Sequence, residues 1–379
     1  MDLSARLEKH RAKGLHRSHR IIEGAQQVLL RTAGEELLNF SSNDYLGLAN
    51  DPQVKQAFIE GANQYGVGAG ASHLITGHTR AHHELEQALA EFTGRDRALL
   101  FSTGYMANLG VLSALTERQD VIYQDRLNHA SLIDAGILSR AQVRRYLHTD
   151  VGDLRRQLDA RDGLLVTDGV FSMEGDIAPL AELADVSRQN DLLLMVDEAH
   201  ALGVLGQHGA GSVDDAGLGQ DQVPIIMGTL GKALGTYGAF VAASDSVIEA
   251  LIQFARSYVY TTAPPAAIAC ATLASLQVIR QQPERRARLM ENVLYFQQAA
   301  SAAGLTVGAQ RTPIQPVRFN DIPALMRAQQ QLQQDGLLVS AIRPPTAPQP
   351  MLRVTLSSEH KQQEIDRLVQ SLSRISYDD

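Results

Sequence analysis

Short, nearly continuous apolar runs alternate with longer helical patterns over most of the chain, and this alternation constrains the fold most strongly. A strand buried on both faces is apolar throughout, because neither of its sides meets water. Strands that alternate with helices are joined by right-handed crossovers into a mainly parallel sheet. The runs expected to form strands are RALLFS (97–102), DVIYQD (120–125), GLLVTDG (163–169), LLLMVDE (192–198), PIIMGTL (224–230) and GAFVAAS (238–244). The sequence therefore predicts an α/β fold whose sheet is covered by helices on both sides.

The pattern changes after about residue 265. Long helices broken near Pro283 are followed by the short strands IQPVRF (314–319) and MLRVTL (351–356), and then by a final helix near QQEIDRLVQSLSRI. This part is expected to be a smaller α+β domain. For a chain of 379 residues we predict an N-terminal segment 1–43, a large domain 44–277 and a small C-terminal domain 278–379.

Charge and cysteine content argue against several classes of protein. A formal net charge of −8 does not suit a nucleic-acid binder, which needs clustered Lys and Arg for phosphate contacts. The single cysteine, Cys270, rules out an intrachain disulfide and is consistent with a reducing compartment. The charged N-terminus has no secretory apolar region, and no apolar run approaches the length of a membrane span. We therefore expect a cytoplasmic protein that binds neither nucleic acid nor membranes.

The segments that follow the expected strands are rich in glycine and polar residues. Ligands of an open parallel sheet bind at the carboxyl ends of its strands, so these segments are where a site is expected. They are STGYMAN, DRLNHAS, DGVFSMEGD, DEAHALG and TLGKALG.

The letters DEAH, residues 197–200, also occur in nucleotide-driven helicases. Such a motor needs a P-loop, GxxxxGK followed by Ser or Thr, whose amides cradle phosphates. The only Gly-Lys pair is Gly231-Lys232, which is followed by Ala233 and lacks the required upstream glycine. The chain is therefore not a nucleotide motor.

A metal site is suggested by GHTRAHHELEQ, where His78 and His82 lie one helical turn apart. No matching carboxylate or third ligand is evident in the sequence, and polar residues at a helix start explain the pair equally well. We therefore predict no metal site.

Asp197 and Lys232 both leave expected buried strands. Lys232 lies in the tight GTLGKALG loop, where desolvation would lower the pKa of its amine and make it a nucleophile for Schiff-base chemistry. A buried aspartate can keep a pyridine nitrogen protonated, so that the ring accepts electrons. This pairing of Lys and Asp is the usual protein contribution to catalysis by pyridoxal 5'-phosphate (PLP).

Five sequence blocks, in order, resemble the α-oxoamine synthase family of fold-type-I PLP enzymes. They are NFSSNDYLGLAN (39–50), DRLNHASLIDA (125–135), VFSMEGDIAPL (170–180), VDEAHALGVLG (196–206) and TLGKALGTYGA (229–239). The resemblance runs over nearly the whole chain. It implies a PLP-transferase fold of type I, PLP as the cofactor, and a homodimer with a shared active site. DEAH is then a coincidence of letters.

The resemblance also implies the roles of residues around the cofactor. Lys232 would bind the cofactor covalently, Asp197 would pair with its pyridinium nitrogen, and His129 would stack on its ring. The remaining implied contacts are Ser172 and His200 at the ring's phenolic oxygen, and Gly104, Tyr105 and Thr229 at the phosphate. Backbone amides at a helix start favour such an anion.

On the substrate side, the resemblance implies that Arg353 binds the amino acid's carboxylate as a bidentate fork. The alternative for this arginine is an ion pair on a surface strand. Asn43, Thr346 and Arg17 are similar to family residues on the substrate side, with Arg17 near the acyl group. Glu198 departs from relatives that carry a second Asp there, and it is expected to point to the opposite face without a role.

The segments YTTAPPA (260–266) and AIRPPTAP (341–348) are similar to the members of the family that use a pimeloyl thioester. The resemblance implies condensation of L-alanine with this thioester, carried by coenzyme A or by an acyl carrier protein, with loss of carbon dioxide. Two alternatives remain open. One is a family member that uses glycine and acetyl-coenzyme A, and the other is a non-catalytic α/β protein that binds a sugar or nucleotide.

Overall fold

The computed structural model describes residues 1–375. Its strands are β1 Leu29–Thr32, β2 Glu35–Asn39, β3 Arg97–Phe101, β4 Val121–Asp125, β5 Gln142–Tyr146, β6 Gly163–Asp168, β7 Leu193–Asp197, β8 Ile225–Thr229, β9 Ala239–Ala243, β10 Ile314–Arg318, β11 Leu337–Leu338, β12 Ser340–Ile342 and β13 Met351–Thr355. The chain forms two compact units. The large unit is Asn43–Arg288, and the small unit combines Met1–Ser42 with the chain from Leu289 onward.

The helices alternate with the strands through the large unit and are longest after residue 265. They are α1 Leu3–Ala12, α2 Pro52–Tyr65, α3 Arg80–Thr93, α4 Gly104–Leu115, α5 Ala130–Ser139, α6 Val151–Gln157, α7 Leu180–Gln189, α8 Ser212–Asp215, α9 Asp245–Phe254, α10 Arg256–Val259, α11 Ala266–Gln281, α12 Glu284–Ala302, α13 Ile322–Gln334 and α14 Gln362–Leu372. A π-helical turn spans His73–Gly77. The expected break near Pro283 falls between α11 and α12.

The large unit contains a seven-stranded sheet in the order β3-β9-β8-β7-β6-β4-β5. The strands from β8 to β5 run parallel to one another, and β9 is antiparallel to both of its neighbours. The mainly parallel α/β sheet predicted from the apolar runs is thus confirmed. The strand of this sheet that the sequence did not reveal is β5, whose QVRRY carries two arginines because this edge strand, unlike β3 at the other edge, is only partly buried.

The core of the large unit lies between this sheet and α4, α5 and α9. Apolar side chains of the strands interlock there with those of the helices, and each such side chain contributes roughly 1.5–3 kcal/mol when fully buried. Members of this core include Leu99, Phe101, Val111, Leu112, Ile122, Leu132, Val166, Met195, Ile225, Val241 and Leu251. Packing of this kind holds the carboxyl ends of the strands in fixed positions.

The small unit contains two three-stranded sheets, β1-β2-β11 and β10-β13-β12. The two strands expected near residues 314–319 and 351–356 are β10 and β13, which pair antiparallel. The expected final helix is α14, which buries Ile365, Leu368 and Leu372 along one face. His360 stacks on Phe40 with ring centroids 4.3 Å apart.

Within residues 1–375, none of the helices combines the length and apolar character needed to cross a membrane.

Candidate active site

Three neighbouring strands of the large unit end in polar residues. Asp168 ends β6, Asp197 ends β7 and Thr229 ends β8, and the two aspartates are direct partners in the strand register. Lys232 follows three residues after Thr229. The carboxyl edge of the sheet therefore gathers three residues that the sequence predicted at the cofactor, Asp197, Thr229 and Lys232, together with Asp168, which was not predicted.

Asp197 is fixed through both of its carboxylate oxygens. Its Oδ2 accepts a hydrogen bond of 2.9 Å from Asn108 Nδ2, and its Oδ1 accepts one of 2.9 Å from the backbone N–H of Ala199. Asn108 also donates to Ser131 Oγ at 2.8 Å. Asp197 is 3% exposed and Asn108 is fully buried. Both donors are uncharged, so they orient the carboxylate without neutralising it.

Asp168 positions the backbone of His129. Its Oδ2 accepts the N–H of His129 at 2.8 Å. Burial, and then the neighbouring Asp197 carboxylate, raise the pKa of Asp168 well above its usual value. Asp168 therefore favours its neutral form, and this limits the negative charge beside Asp197.

Lys232 belongs to a chain of hydrogen-bonded side chains. Its Nζ lies 3.0 Å from His200 Nε2, His200 Nδ1 lies 2.7 Å from Tyr45 Oη, and Tyr45 donates to Asn43 Oδ1 at 3.1 Å. Because the hydroxyl proton of Tyr45 goes to Asn43, Tyr45 must accept the Nδ1–H of His200. His200 Nε2 then has a lone pair and accepts from the Lys232 amine. This series of hydrogen bonds thus fixes one tautomer of the His200 imidazole beside Lys232.

The start of α4 forms a cradle for an anion. Thr103 caps the helix by accepting the N–H of Met106 at 3.2 Å, and the first-turn amides of Gly104 and Tyr105 have no carbonyl partner within the helix. A Cβ atom at position 104 would come within 2.8 Å of Thr229 Cγ2, so only glycine allows this approach. The buried Thr229 Oγ1 has no hydrogen-bond partner among residues 1–375. A phosphate group fits this arrangement, since it accepts from both amides and from the hydroxyl.

His129 is held at its backbone and at one ring nitrogen. It begins α5, and its Nδ1 lies 2.7 Å from Ser131 Oγ. Part of its side chain is exposed. Desolvation by the surrounding protein lowers the pKa of His129, and this effect is larger than the opposing effect of the Asp197 carboxylate. A neutral ring with an accessible surface can stack on a flat ligand. Ser172 is half-buried in the turn closed by the bridge between Val170 and Ile177.

The predicted acyl-side residues lie in the small unit. Arg17 donates to Thr346 Oγ1 at 3.2 Å, so the structure brings these two residues together. The Arg343 guanidinium donates to the carbonyls of Gly14 and His16. A cavity of about 890 Å³ is lined by residues of this region, including Arg17 and Arg343. The small unit therefore has a basic pocket large enough for part of an acyl thioester.

Arg353 lies in the middle of β13, between Pro316 of β10 and Ser340 of β12 in the strand register. It is only 5% exposed. An ion pair on a surface strand, the alternative considered for this arginine, is therefore inconsistent with the structure. A buried guanidinium suits a buried carboxylate.

Glu198 has a structural contact rather than a contact with the residues above. It is fully buried, and it accepts the N–H and the hydroxyl of Ser212 and the N–H of Val213, at 2.7 to 2.8 Å. Burial raises its pKa to about 7. The expectation that it has no part in the site agrees with these contacts.

Three residues that position the site were not singled out from the sequence: Tyr45, Asn108 and Asp168. A signal existed for Asn108, because it is a polar residue in the apolar helix MANLGVLSAL, four residues after Gly104 and hence on the same face. A signal also existed for Asp168, because it ends the apolar run GLLVTD and begins the segment DGVFSMEGD, but no role was assigned to it. Tyr45 had no comparable signal. The importance of Asp168 and Tyr45 depends on partners far away in the sequence.

Comparisons with known proteins identify the family of the chain. The family model of aminotransferase class I and II matches residues 35–372. The 8-amino-7-oxononanoate synthase of Thioalkalivibrio sulfidiphilus is 53% identical over 379 residues, which covers 98% of this chain and 97% of the relative. The enzyme of the same name from Nitrosococcus oceani is 52% identical over 374 residues, with coverage of 97% and 99%.

Solved structures are similar as well. A serine palmitoyltransferase from S. paucimobilis with bound PLP has a TM-score of 0.92 and 30% identity, and the match covers 98% of this chain and 96% of that one. An 8-amino-7-oxononanoate synthase from Francisella tularensis has a TM-score of 0.80 and 34% identity, with coverage of 89% and 97%.

Proposed function

The chain belongs to the aminotransferase class I and II family, and we propose that it condenses L-alanine with a pimeloyl thioester, as its 8-amino-7-oxononanoate synthase relatives suggest. A carbon–carbon bond forms between the α-carbon of alanine and the thioester carbonyl. The carbon–sulfur bond breaks to release the carrier thiol. The carboxyl group of alanine leaves as carbon dioxide, and a proton replaces it. The product is 8-amino-7-oxononanoate.

The cofactor is pyridoxal 5'-phosphate. When bound, it acts as an electron sink for the negative charge that develops on the amino acid's α-carbon. The chain offers a partner for each of its polar groups. Lys232 would hold its carbonyl carbon, Asp197 its ring nitrogen, His200 and Ser172 its phenolic oxygen, and Gly104, Tyr105 and Thr229 its phosphate.

The observation that carries the proposal is the placement of Lys232 and Asp197 after adjacent strands, with His200 beside the lysine. The Lys232 amine takes the proton from the α-carbon of alanine and later returns a proton to that carbon. Because Nζ donates to His200 Nε2 at 3.0 Å, rotation of the amine is restricted. A base held in one orientation needs less reorganisation when the proton moves.

Asp197 keeps a proton on the ring nitrogen. Its carboxylate is held by Asn108 and by the Ala199 N–H, and burial strengthens its interaction with a cationic partner. An amide at position 197 could not hold that proton. Electrostatic partners oriented in advance commonly contribute about 10²–10³-fold to a rate.

The substrate contacts rest on the resemblance and on the burial of the side chains. We propose that Arg353 binds the alanine carboxylate, which fixes the Cα–H bond for proton removal. Asn43 would be a further contact on the amino-acid side. Arg17 and Thr346, already joined by a hydrogen bond, would contact the acyl group.

We also propose that the protein is a cytoplasmic homodimer with a shared active site. Sedimentation of the active enzyme as a monomer would contradict the dimer.

The substrate assignment is tested by offering two pairs to the purified enzyme loaded with PLP: L-alanine with pimeloyl-coenzyme A, and glycine with acetyl-coenzyme A. Release of free thiol is followed in both. We expect faster turnover of the first pair. The methyl group that distinguishes alanine from glycine changes the free energy of discrimination by only about 1–3 kcal/mol. The acyl group should therefore contribute most of the preference for the first substrate pair. Faster turnover of the second pair would overturn the substrate assignment.

A further inference from the structure

The start of α3 holds a cluster of histidines that the proposed reaction does not use. His78, His83 and Glu86 each offer a ligand atom, and these atoms lie within 4.8 Å of one another. We propose that these three residues form a binding site for a divalent transition-metal ion, with Zn²⁺ as the expected occupant. Two imidazoles and one carboxylate are a common ligand set for zinc, which takes a water as its fourth ligand.

The local structure explains why the three residues converge. His83 and Glu86 are three residues apart on α3, so their side chains leave the same face of the helix. His78 precedes Thr79, the cap of α3, and its Nε2 lies 3.8 Å from Glu86 Oε2. One helix and the turn before it therefore supply every protein ligand.

A second contact orients His78 in the manner of a metal ligand. Its Nδ1 lies 2.9 Å from His73 Nδ1. His73 is 6% exposed and stacks on Tyr258, which holds its ring in place. When His73 Nδ1 accepts the Nδ1–H of His78, a lone pair is left on His78 Nε2. A metal-bound histidine almost always donates its other N–H to such a partner.

Glu86 is also suited to binding a cation. Its Oε1 accepts the N–H of Leu100 at 3.0 Å, which leaves Oε2 directed towards His78. The Glu86 side chain is 13% exposed, so a cation at this position would bind a largely buried carboxylate.

His82, which the sequence suggested as a partner of His78, is not a ligand. Its Nδ1 accepts the Thr79 N–H at 3.1 Å, and its Nε2 lies 2.8 Å from the carbonyl oxygen of Pro264. Both ring nitrogens of His82 are therefore engaged, Nδ1 at the start of α3 and Nε2 with the Pro264 carbonyl oxygen. The carboxylate and third ligand that were not evident in the sequence are Glu86 and His83.

Only a small rearrangement is needed to close the site. Zinc ligands lie about 2.0–2.2 Å from the metal, which places neighbouring donors about 3.4 Å apart. The His78–Glu86 distance is already close to this value. His83 is exposed, so its ring can rotate towards the other two ligands.

The test uses the PLP-loaded enzyme after treatment with a chelator and its removal. Zn²⁺ is titrated against a chromophoric zinc chelator, and its affinity and stoichiometry are measured. We expect one tightly bound zinc per chain in the wild type. His83→Gln and His78→Gln should each weaken binding at least about 10-fold, because each removes one of three protein ligands.

His208→Gln is the matched control, because His208 is exposed and lies in a different turn. The zinc affinity of this variant should equal that of the wild type. Thermal unfolding provides a second measurement: zinc should raise the Tm of the wild type and of the control, but not that of His83→Gln. Because His83 is exposed, this variant should fold. The proposal is overturned if the wild type binds no stoichiometric zinc, or if both ligand variants bind it as tightly as the control does.

Discussion

Two pairs of acidic residues lie at or shortly after the carboxyl ends of strands in the large unit, and their hydrogen-bond donors differ. Asp125 and Asp176 share His148, whose Nδ1 lies 3.0 Å from Asp125 and whose Nε2 lies 2.9 Å from Asp176. Asp168 and Asp197, in contrast, accept hydrogen bonds from uncharged donors. The first pair shares a histidine cation through hydrogen bonds, whereas the hydrogen-bond donors to the second pair are uncharged.

The difference indicates which pair is structural and which is functional. Burial alone would lower the pKa of His148, but its hydrogen bonds to Asp125 and Asp176 outweigh this effect and raise the pKa to about 10. The imidazolium is therefore part of the folded protein. Asp197 remains suited to a cationic group that arrives with a ligand, such as a pyridinium nitrogen. Four substitutions test this contrast.

Lys232→Ala should have the largest effect, because it removes the amine that attaches the cofactor and moves the proton. We expect activity to fall by about 10⁴-fold or more. The purified wild-type protein should be yellow, and the variant should lose the absorbance band of the covalent link while phosphate contacts still hold some cofactor. A colourless wild-type protein that gains no band on addition of PLP would contradict the cofactor assignment.

Asp197→Asn breaks the functional pair and should reduce kcat by about 10²-fold or more. The asparagine is nearly isosteric, so cofactor should still bind. Its NH2 group would face one of the two N–H donors that Asp197 accepts from, so the Tm should fall modestly. The kcat of the PLP-loaded variant is the measurement. Turnover near that of the wild type would mean that Asp197 is only structural.

Tyr45→Phe tests whether the orientation of the lysine depends on the His200 tautomer. The loss of the hydrogen bond between Tyr45 and His200 should lower kcat by about 3–10-fold. The pH dependence of kcat should also change, since Nδ1 of His200 would lose its acceptor. An unchanged pH profile with reduced Tm would show that Tyr45 contributes only packing.

His148→Gln breaks the structural pair and should leave kcat within about twofold of the wild type, while costing about 1–2 kcal/mol of stability near pH 6. The folded-state pKa of His148 is raised, from 6.5 to about 10. Its stabilising contribution is therefore fully present below about pH 6.5 and is lost as the pH rises towards 10. Denaturant unfolding across this range should show the two proteins converging. A constant difference would refute the assignment of a protonated His148.

The sequence predicted the parts of the structure that local pattern determines. Nearly continuous apolar runs identified β3, β4, β6, β7, β8 and β9, because burial on both faces favours apolar residues. The edge strand β5 was missed because partial exposure allows QVRRY there. The strands β1, β11 and β12 have four residues or fewer, too few to show a period, and β2, with the sequence EELLN, begins with two exposed glutamates.

The site was predictable to a similar degree. Lys232 and Asp197 follow recognisable strands, and their chemistry suggested the cofactor. Tyr45 was not found because its partner His200 is 155 positions away, and Asn108 contacts Asp197 across 89 positions. Such pairings are created by tertiary structure, and a local pattern does not report them.

The hydrogen-bond chain from Asn43 to Lys232 has a consequence for the comparison of related sequences. Asn43 accepts the proton of Tyr45, and this determines that Nδ1 of His200 carries the ring proton while Nε2, which faces the lysine, keeps its lone pair. A change of Asn43 to a residue that cannot accept a hydrogen bond would let Tyr45 reverse its direction and donate to His200. Substitutions at positions 43, 45 and 200 should therefore be inherited together, so that these positions covary although more than 150 residues separate the first two from the third.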